Sequence, residues 1–314
     1  MTQQFNIEEM SEYNGDSRLY VETCLDNWDD IFKLYNRFLM AFVFRGHGSA
    51  KWSMTSSLER MAKRFHPNRI VNAANGYEED NLKEFKWKYP IYEKNYIPAD
   101  IEVIEWLSIM QHYGAPTRMV DFSYSLYVAL FMAMDSLLEN EDSAVWCINH
   151  LVCRNLFFKD KKDLQRKCKD KDEMDSCIYE EANSVLLDNL SNQSNREYNK
   201  GIFLVKPHMA NERIARQQGL FALQSDPNSN FEDNLFSVVS NREPIVKPIQ
   251  EIIDYSYSSH MGRPNDFALI KIVIPKQFRW DIFRSLEQMN ISAETMYPGV
   301  EGLAKSMNRQ RYKL

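Results

Sequence analysis

The chain has 314 residues, 44% of them hydrophobic, which is enough for one large core or two small ones and excludes a disordered or fibrous protein. A net charge of -6 excludes a domain that coats nucleic acid through bulk positive charge. Five cysteines with no CxxC pair, and no histidine pair at ligand spacing, point to a reducing compartment, away from a disulfide framework or a metal site.

The stretch MTQQFNIEEMSEYNGD lacks the basic-then-apolar order of a secretion signal, and the longest apolar run, residues 126–134, is too short to span a bilayer. The expected location is cytoplasmic. An N-terminal helix is expected over about residues 20–41, because Trp28, Ile31, Phe32, Tyr35, Phe38 and Leu39 recur at helical spacing within 26–40. The string AFVF then reads as a buried strand, from whose end Arg45 leaves as the chain turns at Gly46 and Gly48. Residues 45–69 hold six bases against the single acid Glu59, and residues 305–314 add four bases with no acid; both stretches read first as solvated surface.

Residues 98–111 have the period of a helix, with Ile101, Ile104, Leu107 and Met110 inward, Gly114 as its stop and Pro116 beyond. The loop QHYGAPTRMVDFSYS follows, and Ser123 or Ser125 caps a second helix through residue 138, with Leu126, Ala129, Leu130, Ala133 and Leu137 inward. Strands are expected at 144–152, 201–205, 220–224 and 267–274. Residues 159–175 mix both charges without apolar periodicity and read as a surface excursion, before a helix at 178–190 and a polar loop to 199. They form a charged insertion of about residues 154–200. No linker or repeat divides the chain, so 1–314 reads as one α+β domain, a central β-sheet flanked by helices. Trp28, Trp106, Trp146 and Cys147 lie in apolar segments and are expected in the core.

Four stretches, FRGHGSAKWSMTSSLERMAKR, WLSIMQHYGAPTRMVDFSYSLYVALFMAMD, ERIARQQGLFALQ and MYPGVEGLA, resemble in order the successive blocks of the FRG domain family, named for the string that here is Phe44, Arg45 and Gly46. The blocks span about residues 42–304. The resemblance implies an ADP-ribosyltransferase-like fold with NAD as co-substrate. It also implies a toxin of bacterial anti-phage defence that modifies a macromolecular acceptor such as RNA and is restrained by a neutralising antitoxin protein.

Transfer of ADP-ribose requires a cation for the pyrophosphate, an aromatic platform and a group that stabilises positive charge on the ribose as the bond to nicotinamide breaks. Arg45 suits phosphate or ribose oxygens with its guanidinium fork; the competing reading pairs it with Asp121 to pin a loop. Tyr113 or His112 is placed on the nicotinamide, and Thr117 and Arg118 on phosphate or ribose. Asp121 is read as orienting Arg45 or Arg118, or with Ser123 as a helix cap. Gly46 and Ser123 complete the expected cofactor-binding set. Gln217 and Gln218 fall at a helix end that faces the same cleft, where the resembled fold carries a glutamate; Glu212, Glu294 and Glu301 are the other possible acids. Lys51, Arg60, Lys63 and Arg64 are candidate contacts to a nucleic-acid acceptor. A non-catalytic nucleotide- or partner-binding sensing module stays open as the alternative, and an NAD glycohydrolase as a third reading.

Overall fold

The structure is a computed structural model that describes residues 18–34, 36–135, 140–191, 197–258 and 266–307. Tyr35, Leu137, His260 and most of the basic tail fall outside the described residues.

The frame is an eight-stranded mixed sheet in the order β5-β6-β3-β2-β4-β8-β1-β7. Its strands are β1 Leu19–Cys24, β2 Phe42–His47, β3 Val120–Ser123, β4 Ser143–Asn149, β5 Ile202–Val205, β6 Gly219–Gln224, β7 Ile245–Val246 and β8 Phe267–Ile274. β1 runs parallel to β7 and β8, and every other pairing is antiparallel. β2 and β4 pair continuously from Phe42↔Asn149 to His47↔Ala144. β2 and β3, in contrast, register only at Phe44↔Ser123, so the sheet opens between them beyond that pair.

The segment expected to be one N-terminal helix is instead β1, a 3-10 turn at Asp30–Lys33 and the short helix α1 Asn36–Leu39. Asp30 explains the break. Its carboxylate accepts from Asn27 N at 2.8 Å and from Lys33 Nζ at 2.9 Å, local bonds that favour a turn over a helix start. Trp28, expected in the core, is 39% exposed, whereas Trp106, Trp146 and Cys147 are buried. β2 also runs three residues past the expected strand, through the first glycine of the expected turn. Arg45, Gly46 and His47 are strand residues, so Arg45 projects from within the sheet.

The stretch read only as basic holds helix α2 Ser57–Phe65, and helix α3 Ile70–Tyr92 follows directly after it. Ser56 starts α2 with a capping box. Its hydroxyl accepts from Glu59 N at 3.1 Å while Glu59 Oε2 accepts from Ser56 N at 2.9 Å. Helix α5 Leu126–Asp135 matches its expected periodic run, whereas helix α4 Val103–His112 starts five residues later than expected and leaves Ile101, expected inward, exposed; β3 interrupts the loop expected between them. Val120 and Phe122 alternate inward there, which is the signature of a short strand.

β4 ends at Asn149, whose side chain accepts from Leu151 N and Val152 N and opens α6 His150–Phe158, so residues 150–152 are helical and not strand. The charged excursion is also helical, as α7 Lys162–Lys167 and the first turns of α8 Lys171–Ser191, which continues through the helix expected at 178–190. Its charges hide an apolar stripe. Met174, Ile178, Tyr179, Ala182, Val185 and Leu186 are buried together with Val103, Trp106 and Leu107 of α4.

Later helices are α9 Glu212–Arg216, α10 Phe231–Phe236, α11 Ile249–Ser258, α12 Arg279–Gln288, α13 Ala293–Met296 and α14 Gly299–Met307. Two apolar clusters cover one side of the sheet. One gathers α5, α11 and α12 over β2, β4 and β8; the other gathers α4 and α8 over β5 and β6. A third lies on the opposite side, around Val43, Trp146, Phe231 and Leu235.

Candidate functional site

An open cleft lies where α4, β3, α9 and β6 meet. Ser108, Gln111 and His112 face it from α4, Asp121 from β3, Asn211, Arg213, Ile214 and Gln217 from α9 and its flanks, and Phe221 from β6. Helical spacing explains the first three. Ile104, Leu107 and Met110 are buried, so positions 108, 111 and 112 share the stripe turned to the cleft. Asn211 starts α9 by accepting from Ile214 N at 2.9 Å, which sets the first turn and with it Arg213.

One chain of hydrogen bonds ties the cleft to the opening in the sheet. Thr117 Oγ1 donates to Gln111 Oε1, and Gln111 Nε2 donates to Asp121 Oδ1 at 2.7 Å. Arg45 Nη1 donates to the Asp121 carbonyl at 2.7 Å and stands 4.0 Å from its carboxylate, while Arg45 Nε donates to His47 Nε2 at 3.1 Å. Arg45 thus bridges the strands that have parted. The Asp121 side chain is 66% exposed, so its carboxylate is fixed by Gln111 and still open to the cleft.

On the far wall, Arg213 lies against Tyr297, its guanidinium 5.0 Å from the ring centre, and the Tyr297 hydroxyl donates to Asp135 at 2.8 Å. Burial, and then the Arg213 cation, hold the His112 imidazole below its ordinary pKa, so it is neutral at pH 7. His112 Nδ1 is buried without a hydrogen-bond partner among the described residues. Glu301 of α14 enters the same field. Its bond from Lys305 holds the carboxyl below the usual range, and Arg213 and His112 lower it further. Of the three glutamates considered from sequence, Glu301 is therefore the one coupled to the cleft. Glu212 is paired with Arg216, and the Glu294 carbonyl accepts from the same guanidinium.

Residues 40–142 match the FRG domain family. The chain carries an FRG domain. The match takes in Arg45, Gln111, His112 and Asp121, whereas Arg213, Gln217 and Glu301 lie beyond it, in the later blocks whose resemblance was read from sequence. No curated protein and no solved structure matches the chain.

Several expected site residues of the FRG segment have other work. Arg118 is 2% exposed and bonded to Glu78 and Asn75, so it does not face a ligand. Thr117 is fully buried, its amide accepted by Ser57 Oγ at 3.0 Å, and it serves the cleft only by holding Gln111. Gly46 lets β2 lie close against α5, because a Cβ there would meet the backbone of Ala129 and Ala133. Ser123 is buried and donates to the Gln217 carbonyl at 2.7 Å, which anchors Gln217 at the cleft wall. Gln217 Nε2 itself donates to Met296 O at 3.0 Å.

Tyr113 is 66% exposed at the end of α4, its ring 4.9 Å from His112, at the solvent edge of the cleft and not within it. Gln218 takes a left-handed backbone, φ 48°, where the chain swings from α9 into β6; its side chain is exposed and outside the lining. Lys51, Arg60, Lys63 and Arg64 are all exposed, the last three on one face of α2. Gln111 and Arg213 were not singled out from sequence. The local signals for them are the polar stripe of α4 and the cap before α9.

The His47 ring gives the FRG segment an acid-sensitive fold. Burial, and then the neighbouring Arg45, push its pKa down to about 3, and burial pushes His150 down to about 4. Unfolded histidine titrates near 6.5, so below that pH the unfolded chain binds more protons and stability falls with pH, for His47 by about 1.4 kcal/mol per unit until its folded value is reached. His150 acts in the same direction. Urea unfolding at pH 7 and pH 5 reads the slope, and His47→Gln is expected to flatten it; an unchanged slope would remove His47 as its source.

Proposed function

We propose that the cleft binds NAD and that the chain transfers its ADP-ribose to a macromolecular acceptor. One observation carries the reading: a cation, a neutral imidazole, a carboxylate and three side-chain amides, from Arg213, His112, Asp121, Gln111, Asn211 and Gln217, open on the same space. Arg213 pairs with the pyrophosphate, the amides hold ribose hydroxyls, and Asp121 faces the positive charge that develops as nicotinamide leaves with the electron pair of the broken C–N bond. Neutral His112 takes the proton of the attacking acceptor. Arg45 acts behind them by fixing Asp121. The opening of the sheet between β2 and β3 fits the ADP-ribosyltransferase-like core implied by the FRG resemblance. The exposed bases of α2 suit an RNA acceptor, and a chain with this activity in a bacterial cell requires a restraining partner protein.

A second reading has its own support. Asp121 is the one carboxylate among the lining residues and is held by Gln111, which suits a module that binds a nucleotide without reacting. Labelled NAD incubated with the chain and total RNA or lysate separates the two. The transferase releases nicotinamide and labels an acceptor, release without label indicates hydrolysis, and saturable NAD binding without release leaves only the module. Asp121→Asn is expected to lower kcat/KM about 100-fold, and Arg213→Ala to weaken NAD binding, in a chain that still folds. Full activity in both variants, or the absence of saturable binding of NAD, would discard the cleft as the site.

A further inference from the structure

The charged insertion carries two thiols that the cleft does not use and that sit together at the edge of the apolar cluster between α4 and α8. Cys168 ends α7 and is 7% exposed, and Cys177, partly exposed, lies on α8. Their sulfurs are 3.7 Å apart, and Cys168 Sγ also donates to Leu164 O at 3.4 Å. A disulfide needs about 2.05 Å, so the sulfurs stand roughly 1.7 Å too far apart, a gap that side-chain rotation at the end of a short helix can close. Among the described residues no third ligand makes the pair a metal site.

We propose that Cys168 and Cys177 are a modification site, joined into a reversible disulfide by a hydroperoxide. The Cys177 thiolate attacks one peroxide oxygen, the O–O bond breaks, hydroxide leaves, and Cys177 becomes a sulfenic acid. The Cys168 sulfur then attacks the Cys177 sulfur, forming the S–S bond and expelling hydroxide, which departs as water with the Cys168 proton. Two thiols lose two electrons and hydrogen peroxide is reduced to two waters.

Exposure sets the order of events. Burial, and then the Cys177 thiol, push Cys168 up to about 11, so it stays protonated and serves as the resolving partner. Cys147 and Cys153 are buried and Cys24 stands far along the chain, which leaves this pair as the one with sulfurs in contact among the described residues. The bond would lock α7 to α8, the helix that grips α4 through Tyr179, whose hydroxyl donates to Glu105 at 2.8 Å.

The experiment treats the full chain with hydrogen peroxide, alkylates the remaining thiols after unfolding, and maps the peptides by mass spectrometry. The expected result is Cys168 joined to Cys177, two hydrogens lighter and restored by a dithiol, with the other cysteines alkylated. In Cys168→Ser, Cys177 is expected to stop as a sulfenic acid that a cyclic diketone traps. Cys168 remaining alkylatable while Cys177 passes to sulfinic acid would overturn the disulfide. A Cys168→Ser chain with no trapped Cys177 would overturn the route.

Discussion

Replacing Glu78 with alanine is expected to destabilise the fold by about 3–5 kcal/mol, because it leaves a buried guanidinium without its counter-charge. Glu78 is 1% exposed and Arg118 2%. Glu78 Oε2 accepts from Arg118 Nε at 2.5 Å, Oε1 accepts from Arg118 N at 3.3 Å, and Asn75 takes Arg118 Nη2 at 3.0 Å. The carboxylate therefore holds both the side chain and the backbone at the entry to β3. Thr117, one residue earlier, sets Gln111, and Gln111 sets Asp121. Loss of Glu78 should thus weaken NAD binding along with stability. Urea unfolding measures the loss of stability and titration calorimetry the loss of NAD binding. Replacing both partners at once, Glu78→Met with Arg118→Leu, is expected to recover most of the lost stability, because no unpaired charge remains. A single variant that costs less than about 1 kcal/mol would mean that water reaches the guanidinium.

Gly46→Ala is expected to be nearly as damaging, at about 3 kcal/mol or more, the upper end for an overpacked core. A methyl group there would sit 2.0 Å from Ala129 O and 2.5 Å from Ala133 N, both backbone atoms of α5. No side chain can rotate away to make room. β2 and α5 must separate, and Arg45, next to Gly46 on the strand, would lose its reach to the Asp121 carbonyl. Thermal unfolding reads the loss of stability. A Gly46→Ala chain that keeps wild-type stability would show that α5 packs less closely than described. The same experiment separates two meanings of the glycine in the Phe-Arg-Gly string, since a glycine needed only for phosphate contact would cost binding and leave stability intact.

Apolar periodicity, a local property of the chain, determined β2, α4, α5, β4, β5, β6 and β8, because water drives each regular apolar stripe inward whatever lies beside it. It misled at residues 26–40, where Asp30 satisfies backbone and side-chain donors within four residues and stops a helix that the spacing of Trp28, Ile31 and Phe32 suggests. It found α8 only over 178–190 and missed α7 and the first turns of α8, where acids and lysines on the solvent side dilute the buried positions. β3 escaped because a strand of four residues is too short for its period to stand out.

The polar groups divide by a different logic. Sequence alone placed Arg45, His112, Asp121 and Gln217 among the candidates, since each is a reactive or hydrogen-bonding side chain at the end of an apolar run. Whether such a group meets solvent or a partner depends on what arrives from elsewhere in the chain. Glu78 comes from forty residues away to remove Arg118 from the surface, Arg213 comes from α9 to lower the pKa of His112, and α14 brings Glu301 into the same field. Burial and pairing of charge depend on distance in space, which only the tertiary structure decided. The hydrophobic pattern depends on distance along the chain, and that the amino-acid sequence already contained.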